Sequence, residues 1–278
     1  SRRFQIIMNI TLGIVKNIDF QFWLNSNDFY SPNVLSTTVK TGIKHVKRAG
    51  LVNSLVNEIK SNAELINLIQ YRINLQKSAS AYTDEDLLII FDLIQAWGGK
   101  MGKNPYVLGG KPRITKSKLF ASLYRASVEM LYQLTEIEDY ENDIAPIKKK
   151  LEEIPQLGES FSTKHLSFWT RFLKNTPDLV IFDTRMKEII KAANKINEGA
   201  NITYKDFHLA LLKEAQPLGF EINDIERSIF AFSSNYFKND NFVLKAEPKI
   251  NHPDKAIAHE LINGSKPKKC LLQKLFLN

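Results

Sequence analysis

From about Thr37 onward, apolar residues recur along the chain at intervals of three and four positions. This interval matches the turn of an α-helix, so it predicts helices with one buried face. The run Leu65, Ile66, Ile69 and Ile73 shows the pattern clearly. The chain is therefore predicted to be mostly α-helical.

Capping boxes mark two of the predicted helix starts, each with a threonine three residues ahead of an aspartate. Thr83 with Asp86 begins a helix predicted over 84–97, and Thr203 with Asp206 begins another that ends near Gly219. The remaining helices are predicted over 116–134, 144–154, 163–174, 184–197 and 222–237.

Three stretches lack a clear helical period. Residues 1–35 carry short apolar runs at 4–7 and 20–24, which fit strands or irregular packing as well as helix. The acidic run 136–143 is typical of a solvated connector, and the residues from 242 onward are not assigned. The predicted organisation is an uncertain N-terminal segment, 1–35, followed by a helical region, 36–278.

Composition restricts the class of protein. With 278 residues and 44% apolar side chains, the chain can bury a full core as one large domain or as two lobes that share a cleft. The single cysteine, Cys270, excludes an internal disulfide and a four-cysteine iron–sulfur cluster. No apolar run reaches the roughly 20 residues that cross a bilayer, and Asn9, Lys16 and Asp19 interrupt the stretch where a secretory leader would lie. We therefore expect an intracellular protein (cytoplasmic, nucleoid-associated or nuclear) with no metal, no cofactor and no membrane contact.

The charge of the chain points to a polyanionic partner. The formal net charge is +8 at pH 7, and the pI is about 9.3. An excess of this size favours binding to nucleic acid, although basic proteins without such a partner are common.

One lysine and one aspartate occupy matched positions in the helical pattern. Lys164 lies at the start of one predicted helix, and Asp183, nineteen positions on, precedes the next. Asn175, Pro177 and Asp178 lie between them and favour a chain reversal, which would bring both helix starts to the same end of a helix pair. Taken without context, such an aspartate is an ordinary N-cap and such a lysine is an ordinary solvated residue.

The context of this pair reads Ser162-Thr163-Lys164 and then Ile181-Phe182-Asp183-Thr184-Arg185-Met186. It resembles the bifunctional helix-hairpin-helix DNA glycosylases of the 8-oxoguanine glycosylase branch, which have Gly-Thr-Lys and, at the same spacing, Pro-Val-Asp-Val-His-Met. The resemblance implies a two-lobed helical fold with a cleft between the lobes and a catalytic helix pair at 163–198. The partner it implies is double-stranded DNA that contains a damaged or modified base.

The resemblance also implies a role for each member of the pair. Lys164, as a neutral amine, would attack the anomeric carbon, expel the base and form a Schiff base that leads to strand cleavage. A helix N-terminus disfavours an ammonium and would help to free that amine. Asp183 would stabilise the positive charge that develops on the sugar and would assist proton transfer from the lysine.

The hairpin ahead of the lysine departs from the family pattern. The family has Leu-Pro-Gly-x-Gly, whose glycine amides and often a cation meet a DNA phosphate, whereas Ser160 and Ser162 stand where glycines would fall. A hairpin metal is therefore not expected, and phosphate contact is predicted through Ser162 and Thr163. Arg185 replaces the histidine of the family and either holds a phosphate or pairs with an acid.

A basic, glycine-rich loop without an acid is predicted between Trp97 and Arg113. Glycine lets the backbone approach phosphates closely, and Trp97 or Tyr106 could stack on a base. The predicted DNA contacts here are Trp97, Lys100, Lys103, Lys111 and Arg113, and Lys116 and Lys118 extend them. The alternative is a surface loop in which Trp97 closes the core.

A helix C-terminal to the aspartate partly reads the flipped base in the family. Phe230 and Phe232 are the corresponding pocket candidates, although Ile225, Ile229 and Phe232 also form an ordinary core stripe. His165, beside the candidate nucleophile, either orients a water or a phosphate or is structural.

Three functions compete on these observations. The first is a DNA glycosylase with AP lyase activity that excises a damaged or modified purine, most simply 8-oxoguanine. The second is a non-enzymatic helical DNA-binding protein on the same scaffold, in a repair or defence assembly. The third is an unrelated helical interaction protein. Borohydride trapping distinguishes the first from the others, and salt-dependent binding to duplex DNA distinguishes the second from the third.

Overall fold

The computed structural model describes residues 9–26, 33–49, 53–99, 107–108, 111–112, 117–155, 157–196, 200–238 and 242–265. Most of these residues are helical, which confirms the mostly α prediction. The helices are α1 (Phe20–Leu24), α2 (Thr37–Ala49), α3 (Asn53–Asn57), α4 (Asn62–Ile73), α5 (Asp84–Gly98), α6 (Ser117–Gln133), α7 (Tyr140–Asp143), α8 (Ala145–Glu152), α9 (Glu159–Phe172), α10 (Thr184–Ala193), α11 (Tyr204–Ala215), α12 (Ile222–Tyr236) and α13 (Lys255–Ser265). Two antiparallel pairs of two-residue strands complete the description: β1 (Val107–Leu108) with β2 (Lys111–Pro112), and β3 (Phe237–Lys238) with β4 (Val243–Leu244).

Both predicted capping boxes are present. The Thr83 hydroxyl accepts from the Asp86 N–H at 3.1 Å and the Asp86 carboxylate accepts from the Thr83 N–H at 3.1 Å, so α5 begins where the sequence predicts. Thr203 and Asp206 form the same reciprocal pair ahead of α11. After α11 a short 3₁₀ turn leads to Gly219, whose φ of 78° ends the helical stretch as predicted.

The described part of the N-terminal segment contains two short helices. A 3₁₀ helix covers Gly13–Asn17, and α1 follows directly, with the Asp19 carboxylate accepting from the Phe22 N–H at 3.0 Å. The sequence pattern left this segment open between strand, irregular packing and helix. The acidic run is likewise partly helical: α7 is a single turn capped by Asp139.

The chain divides into two compact units, and unit 2 is formed by residues 30–183. Its central helix is α5, which packs against α2, α4, α6 and α9. The buried side chains of α5 include Leu87, Ile90, Phe91 and Leu93. A continuous apolar surface of this kind suits a helix that has neighbours on several sides.

Glycine allows α2 to cross α5 closely. A Cβ atom at Gly42 of α2 would lie 1.9 Å from the carbonyl oxygen of Ala96 in α5. No side chain fits in that space, so the crossing depends on glycine at this position.

Unit 1 is formed by residues 1–29 together with 184–278. Its central helix is α12, which packs against α1, α10, α11 and α13. The predicted core stripe on α12 is confirmed, because Ile225, Ile229 and Phe232 are fully buried. The Ser228 hydroxyl donates to the Phe20 carbonyl oxygen at 2.9 Å and so joins α12 to α1.

A buried carboxylate joins the two sequence stretches of unit 1. The Asp254 Oδ2 atom accepts from Trp23 Nε1 at 2.6 Å and from the Asp19 N–H at 3.0 Å. The His252 ring stacks on Phe22 with ring centres 4.1 Å apart. We refer to Asp19, Phe22, Trp23, His252 and Asp254 as the Asp254 cluster. In the described ranges, no helix has the length and apolar character needed to span a membrane.

Candidate active site

Lys164 lies in the second turn of α9, because this helix begins at Glu159 and not at the predicted Thr163. The cap is the backbone of Gly158, without a side-chain hydrogen bond. The hydroxyls of Ser162 and Thr163 look like capping groups in the sequence, but they donate to the Glu159 carbonyl oxygen at 3.1 and 2.9 Å. Such bonds to the preceding turn are typical of serine and threonine inside a helix.

The amine of Lys164 nevertheless lies over the first turn of α9. Its Nζ atom donates to the carbonyl oxygen and the hydroxyl of Ser160 at 3.1 and 3.0 Å, and it lies 4.9 Å from the centre of the Phe161 ring. The cause is the tilt of helical side chains toward the helix N-terminus. With only 7% of its surface exposed, this lysine is not an ordinary solvated residue.

The C-terminal end of α5 packs against the stem of this lysine. A Cβ atom at Gly98 would lie 2.4 Å from Phe161 Cε1 and 3.1 Å from Lys164 Cδ. The glycine therefore allows a contact that holds the lysine stem and the neighbouring aromatic ring from a second helix.

Residues 179–182 run alongside α9. The Leu179 N–H donates to Thr170 Oγ1 at 3.0 Å, and the Phe182 N–H donates to Thr163 Oγ1 at 3.0 Å. Seven helical residues rise by about 10 Å, which three steps of extended chain also cover at about 3.3 Å each. The two bonds therefore match the segment to the helix and direct it toward the N-terminal end of α9.

Asp183 directly follows this segment. It is half-buried and immediately precedes α10. The Phe182–Thr163 bond spans the same nineteen positions as the candidate pair, so it joins the residue before Asp183 to the residue before Lys164. The chain thus brings Asp183 to the end of α9 toward which the lysine tilts.

Ser162 and Thr163, the predicted phosphate contacts, are fully buried. The Ser162 hydroxyl donates to Glu152 Oε1 at 2.8 Å, and Thr163 receives the Phe182 bond. A hydroxyl enclosed in this way cannot reach a phosphate without a rearrangement. In this structure both residues connect α9 to its neighbours.

An ion-pair network closes the turn between α8 and α9. Lys148 Nζ lies 2.8 Å from Glu152 Oε1 and 2.9 Å from Glu159 Oε2. Burial opposes the charge of this lysine, but the hydrogen bonds to Glu152 and Glu159 outweigh it and raise the pKa of Lys148. The network holds the helix–turn–helix that carries Lys164 together.

A chain of buried hydrogen bonds lies on α9 beside Lys164. Trp169 Nε1 donates to the Tyr124 hydroxyl at 2.7 Å, and this hydroxyl lies 2.8 Å from His165 Nδ1. His165 Nε2 then donates to Gln95 Oε1 at 3.1 Å. We refer to Gln95, Tyr124, His165 and Trp169 as the His165 cluster. Because the Gln95 amide oxygen can only accept, His165 Nε2 carries a proton, and in the neutral imidazole Nδ1 then accepts from the Tyr124 hydroxyl.

The surroundings of the His165 cluster keep its members uncharged. Burial and the nearby charge of Lys164 lower the pKa of His165 to about 3. Burial raises the pKa of the Tyr124 hydroxyl far above its ordinary value, the Trp169 N–H opposes this, and the Asp92 carboxylate adds to it. His165 therefore holds the core together, as the structural alternative expected, and does not face a ligand.

Most of the predicted basic loop lies outside the described residues, including Lys100, Lys103, Tyr106, Arg113 and Lys116. Lys111 belongs to β2, although its side chain is not described. Trp97 is half-buried and packs edge to face against Phe168, with ring centres 4.9 Å apart. Lys118 is exposed at the start of α6. DNA contact by this loop stays a prediction.

The remaining predicted site residues lie in unit 1. The Arg185 guanidinium donates to the Ser234 hydroxyl at 2.5 Å and lies 5.3 Å from the centre of the half-buried Phe230 ring. Phe232 is fully buried against Trp23 and other aromatic rings, so its ring offers no surface to a base. Of the two pocket candidates, only Phe230 retains exposed surface.

Sequence reasoning missed several residues that hold Lys164 in place. Ser160 was noted only as a replaced glycine, and Gly98 only as part of a glycine-rich loop. The Gly98–Gly99 pair at the end of an apolar helix was a usable signal for a close approach. Tyr124 and Gln95 gave no local signal, because they lie 41 and 70 positions from His165.

The chain was compared with protein-family models, curated proteins and solved structures. No protein-family model matches it, no curated protein matches it, and no solved structure matches it.

Proposed function

We propose that this protein is a DNA glycosylase with AP lyase activity that excises a damaged or modified purine, most simply 8-oxoguanine, from double-stranded DNA inside the cell. The proposal includes the two-lobed helix-hairpin-helix glycosylase fold that the sequence resemblance implies. The observation that supports it most is the pair of bonds from Leu179 and Phe182 to α9, which directs Asp183 to the end of the helix where Lys164 Nζ lies.

In the proposed reaction, Lys164 first gives up a proton, with the Asp183 carboxylate as the acceptor. The neutral amine attacks C1′ of the extruded nucleotide, and the C1′–N9 bond breaks with its electron pair leaving on the purine, which takes up a proton. Loss of the second N–H proton and opening of the sugar give the Schiff base. Abstraction of a C2′ proton then breaks the C3′–O bond and cleaves the strand.

The surroundings of Lys164 restrict its orientation, as a nucleophile requires. Ser160, Phe161 and Gly98 restrict its stem and its amine, and a reacting group held in one geometry loses little entropy on reaching the transition state. The Schiff base also needs the uncharged amine, and the His165 ring beside Lys164 on α9 is itself neutral.

A second candidate is a non-enzymatic DNA-binding protein on the same scaffold. Its support is that the Lys164 ammonium already has two oxygen partners on Ser160 and lies near the face of the Phe161 ring. In this alternative Lys164 is a structural cation, and the protein binds duplex DNA without cutting it.

Borohydride trapping separates these candidates. The protein is incubated with a labelled duplex that carries 8-oxoguanine opposite cytosine, and with duplexes that carry other modified purines or an abasic site. We expect a covalent complex that is lost in Lys164→Gln and in Lys164→Arg, since neither variant can form a Schiff base. Lys174→Gln is the matched control, because this lysine is exposed just beyond the other end of α9. Absence of trapping on every substrate would exclude the lyase and leave the binding protein.

Asp183→Asn tests the carboxylate separately. It should slow base release by at least tenfold while a preformed abasic site is still trapped, because the charge on the sugar develops during base loss. An equal slowing on both substrates would mean that Asp183 acts mainly by accepting the Lys164 proton, a step that both reactions need, and not by stabilising the charge on the sugar.

A further inference from the structure

Helix α2 carries a row of lysines on one face. Lys40, Lys44 and Lys47 are four and three positions apart, which aligns them along one side of the helix. Lys40 and Lys44 are exposed, and Lys47 is half-buried. Together with Ile43 they line an open groove of about 410 Å³.

The part of the sequence around this row contains no acid. The sequence has no aspartate or glutamate between Asp28 and Glu58. Within the part of the chain that the structure describes, Lys40, Lys44 and Lys47 form no ion pair. Three cations on one helix face, with no ion pair among the described residues, create a positive potential that attracts a polyanion.

The lysine row and Lys164 are joined through one short stretch of α5. Gly42 of α2 packs against Ala96, and Gly99 also faces α2, whereas Gly98 packs against Phe161 of α9. Packed helices have axes about 8–10 Å apart, so the axis of α2 lies within about 20 Å of the axis of α9. That distance corresponds to about six base pairs at about 3.4 Å each.

A second acid-free stretch starts at the same place. No aspartate or glutamate occurs between Asp92 and Glu129, and the stretch that the sequence predicts as a basic loop continues directly after Gly99. The residues at the end of α5 that contact α2, Ala96 and Gly99, therefore lie next to the start of this predicted loop in the sequence.

We propose that Lys40, Lys44 and Lys47 form a second DNA-binding surface, which holds the phosphate backbone of the duplex a few base pairs from the target nucleotide. This inference rests on the proposed function for the identity of the polyanion. Along α2 the lysines are separated by about 6 and 4.5 Å, a spacing that flexible lysine side chains can match to phosphates of one strand. An open groove suits an extended backbone rather than an enclosed small molecule.

The test is the salt dependence of binding to an undamaged duplex of 25 base pairs. The triple variant Lys40→Gln, Lys44→Gln, Lys47→Gln should lower the slope of log K against log salt by two to three, since each phosphate contact contributes about 0.9. Three lost contacts make the fall in affinity between 50 and 200 mM salt about 40-fold smaller than in the unchanged protein. The three lysines replaced by arginine should keep the slope.

The matched control carries the same change of charge elsewhere in unit 2, at the exposed residues Lys60, Lys77 and Lys174. A slope that falls equally in both triple glutamine variants would reduce the effect to net charge and overturn the inference. An unchanged slope in the α2 variant would also overturn it. So would a slope that falls with duplex RNA but not with duplex DNA. If the protein is trapped on DNA but the α2 variant keeps the original salt slope, the second surface is wrong and the glycosylase proposal stands. If the α2 variant lowers the slope but no trapping occurs on any substrate, the DNA-binding surface is supported and the glycosylase proposal is wrong.

Discussion

Each unit contains a polar cluster with a buried centre, and the two clusters differ in charge. The Asp254 cluster of unit 1 is organised around a carboxylate that accepts from two donors. In the His165 cluster of unit 2, hydrogen bonds join only neutral groups: an indole, a phenol, an imidazole and an amide. The first connects residues that lie 231 positions apart, whereas the second lies beside Lys164.

This difference shows that a buried charge stabilises the fold only where hydrogen-bond donors surround it. A carboxylate is an effective clamp, because hydrogen bonds to an ionised acceptor are the strong ones. Where such donors are missing, a buried carboxylate costs free energy, because its charge is removed from water. The neutral cluster gives α9 a fixed position without that electrostatic cost.

Removing the Asp254 carboxylate should have the largest effect on stability. Asp254→Ala leaves the Trp23 and Asp19 donors without their acceptor, and we expect a loss of about 3 kcal/mol in the free energy of unfolding. Asp254→Asn keeps an acceptor oxygen and should cost about 1 kcal/mol. Urea unfolding followed by tryptophan fluorescence measures both. Equal losses would mean that the carboxylate charge, rather than the acceptor, holds the cluster.

Breaking the neutral cluster should cost somewhat less. His165→Phe keeps the stacking on Phe91 but removes the partner of both Tyr124 and Gln95, for a loss of about 2 kcal/mol. In the double variant with Tyr124→Phe, the loss should be smaller than the sum of the two single losses, because one unsatisfied hydroxyl disappears. Strict additivity in urea unfolding would show that the hydrogen bonds are not coupled.

The pH dependence of stability should report the same cluster. The pKa of His165 is about 3 in the folded protein and about 6.5 when unfolded. Between these values the unfolded chain binds more protons, so this contribution is complete above about pH 6.5 and is lost as the pH falls toward 3. Compared with His165→Phe, the unchanged protein should lose up to about 1.4 kcal/mol more per pH unit in this window. Parallel curves from urea unfolding at several pH values would contradict a buried neutral histidine.

A single methyl group next to Lys164 should have the smallest effect on stability. Gly98→Ala introduces a contact with Phe161 and the lysine stem, and we expect a loss of about 1 kcal/mol together with slower trapping. Gly158→Ser is the matched control for stability, because a Cβ there meets nothing within 4 Å and serine is at least as good an N-cap as glycine, so its effect should stay within about 0.5 kcal/mol. Thermal unfolding of both variants tests this. Equal shifts of the midpoint temperature would show that the contact between α5 and α9 can accommodate a methyl group.

Local chemistry explains which parts of the fold could be predicted from the sequence. Thr83 and Thr203 supply complete capping boxes, so the starts of α5 and α11 follow from neighbouring residues alone. The start of α9 was misplaced because Gly158 caps through its backbone, whereas Ser162 and Thr163 offered side chains that looked like caps.

Long-range contacts explain what the sequence could not reveal. Helix α1 has only five residues, and its partners Ser228 and Asp254 lie more than 200 positions away. For the candidate site, the sequence provided Lys164, Asp183 and their spacing. It did not provide the threonine contacts of residues 179–182, because bonds between a loop and a helix face leave no periodic signal.

The connectivity of the two units has a consequence for the order of events during synthesis. Unit 2 is one uninterrupted stretch, 30–183, whereas unit 1 needs 1–29 and 184–278 together. A ribosome therefore completes all of unit 2, with Lys164, Asp183 and the threonines that align them, before the second half of unit 1 has been made. The arrangement of the candidate catalytic residues can be established on the nascent chain, while the N-terminal stretch still waits for its partner.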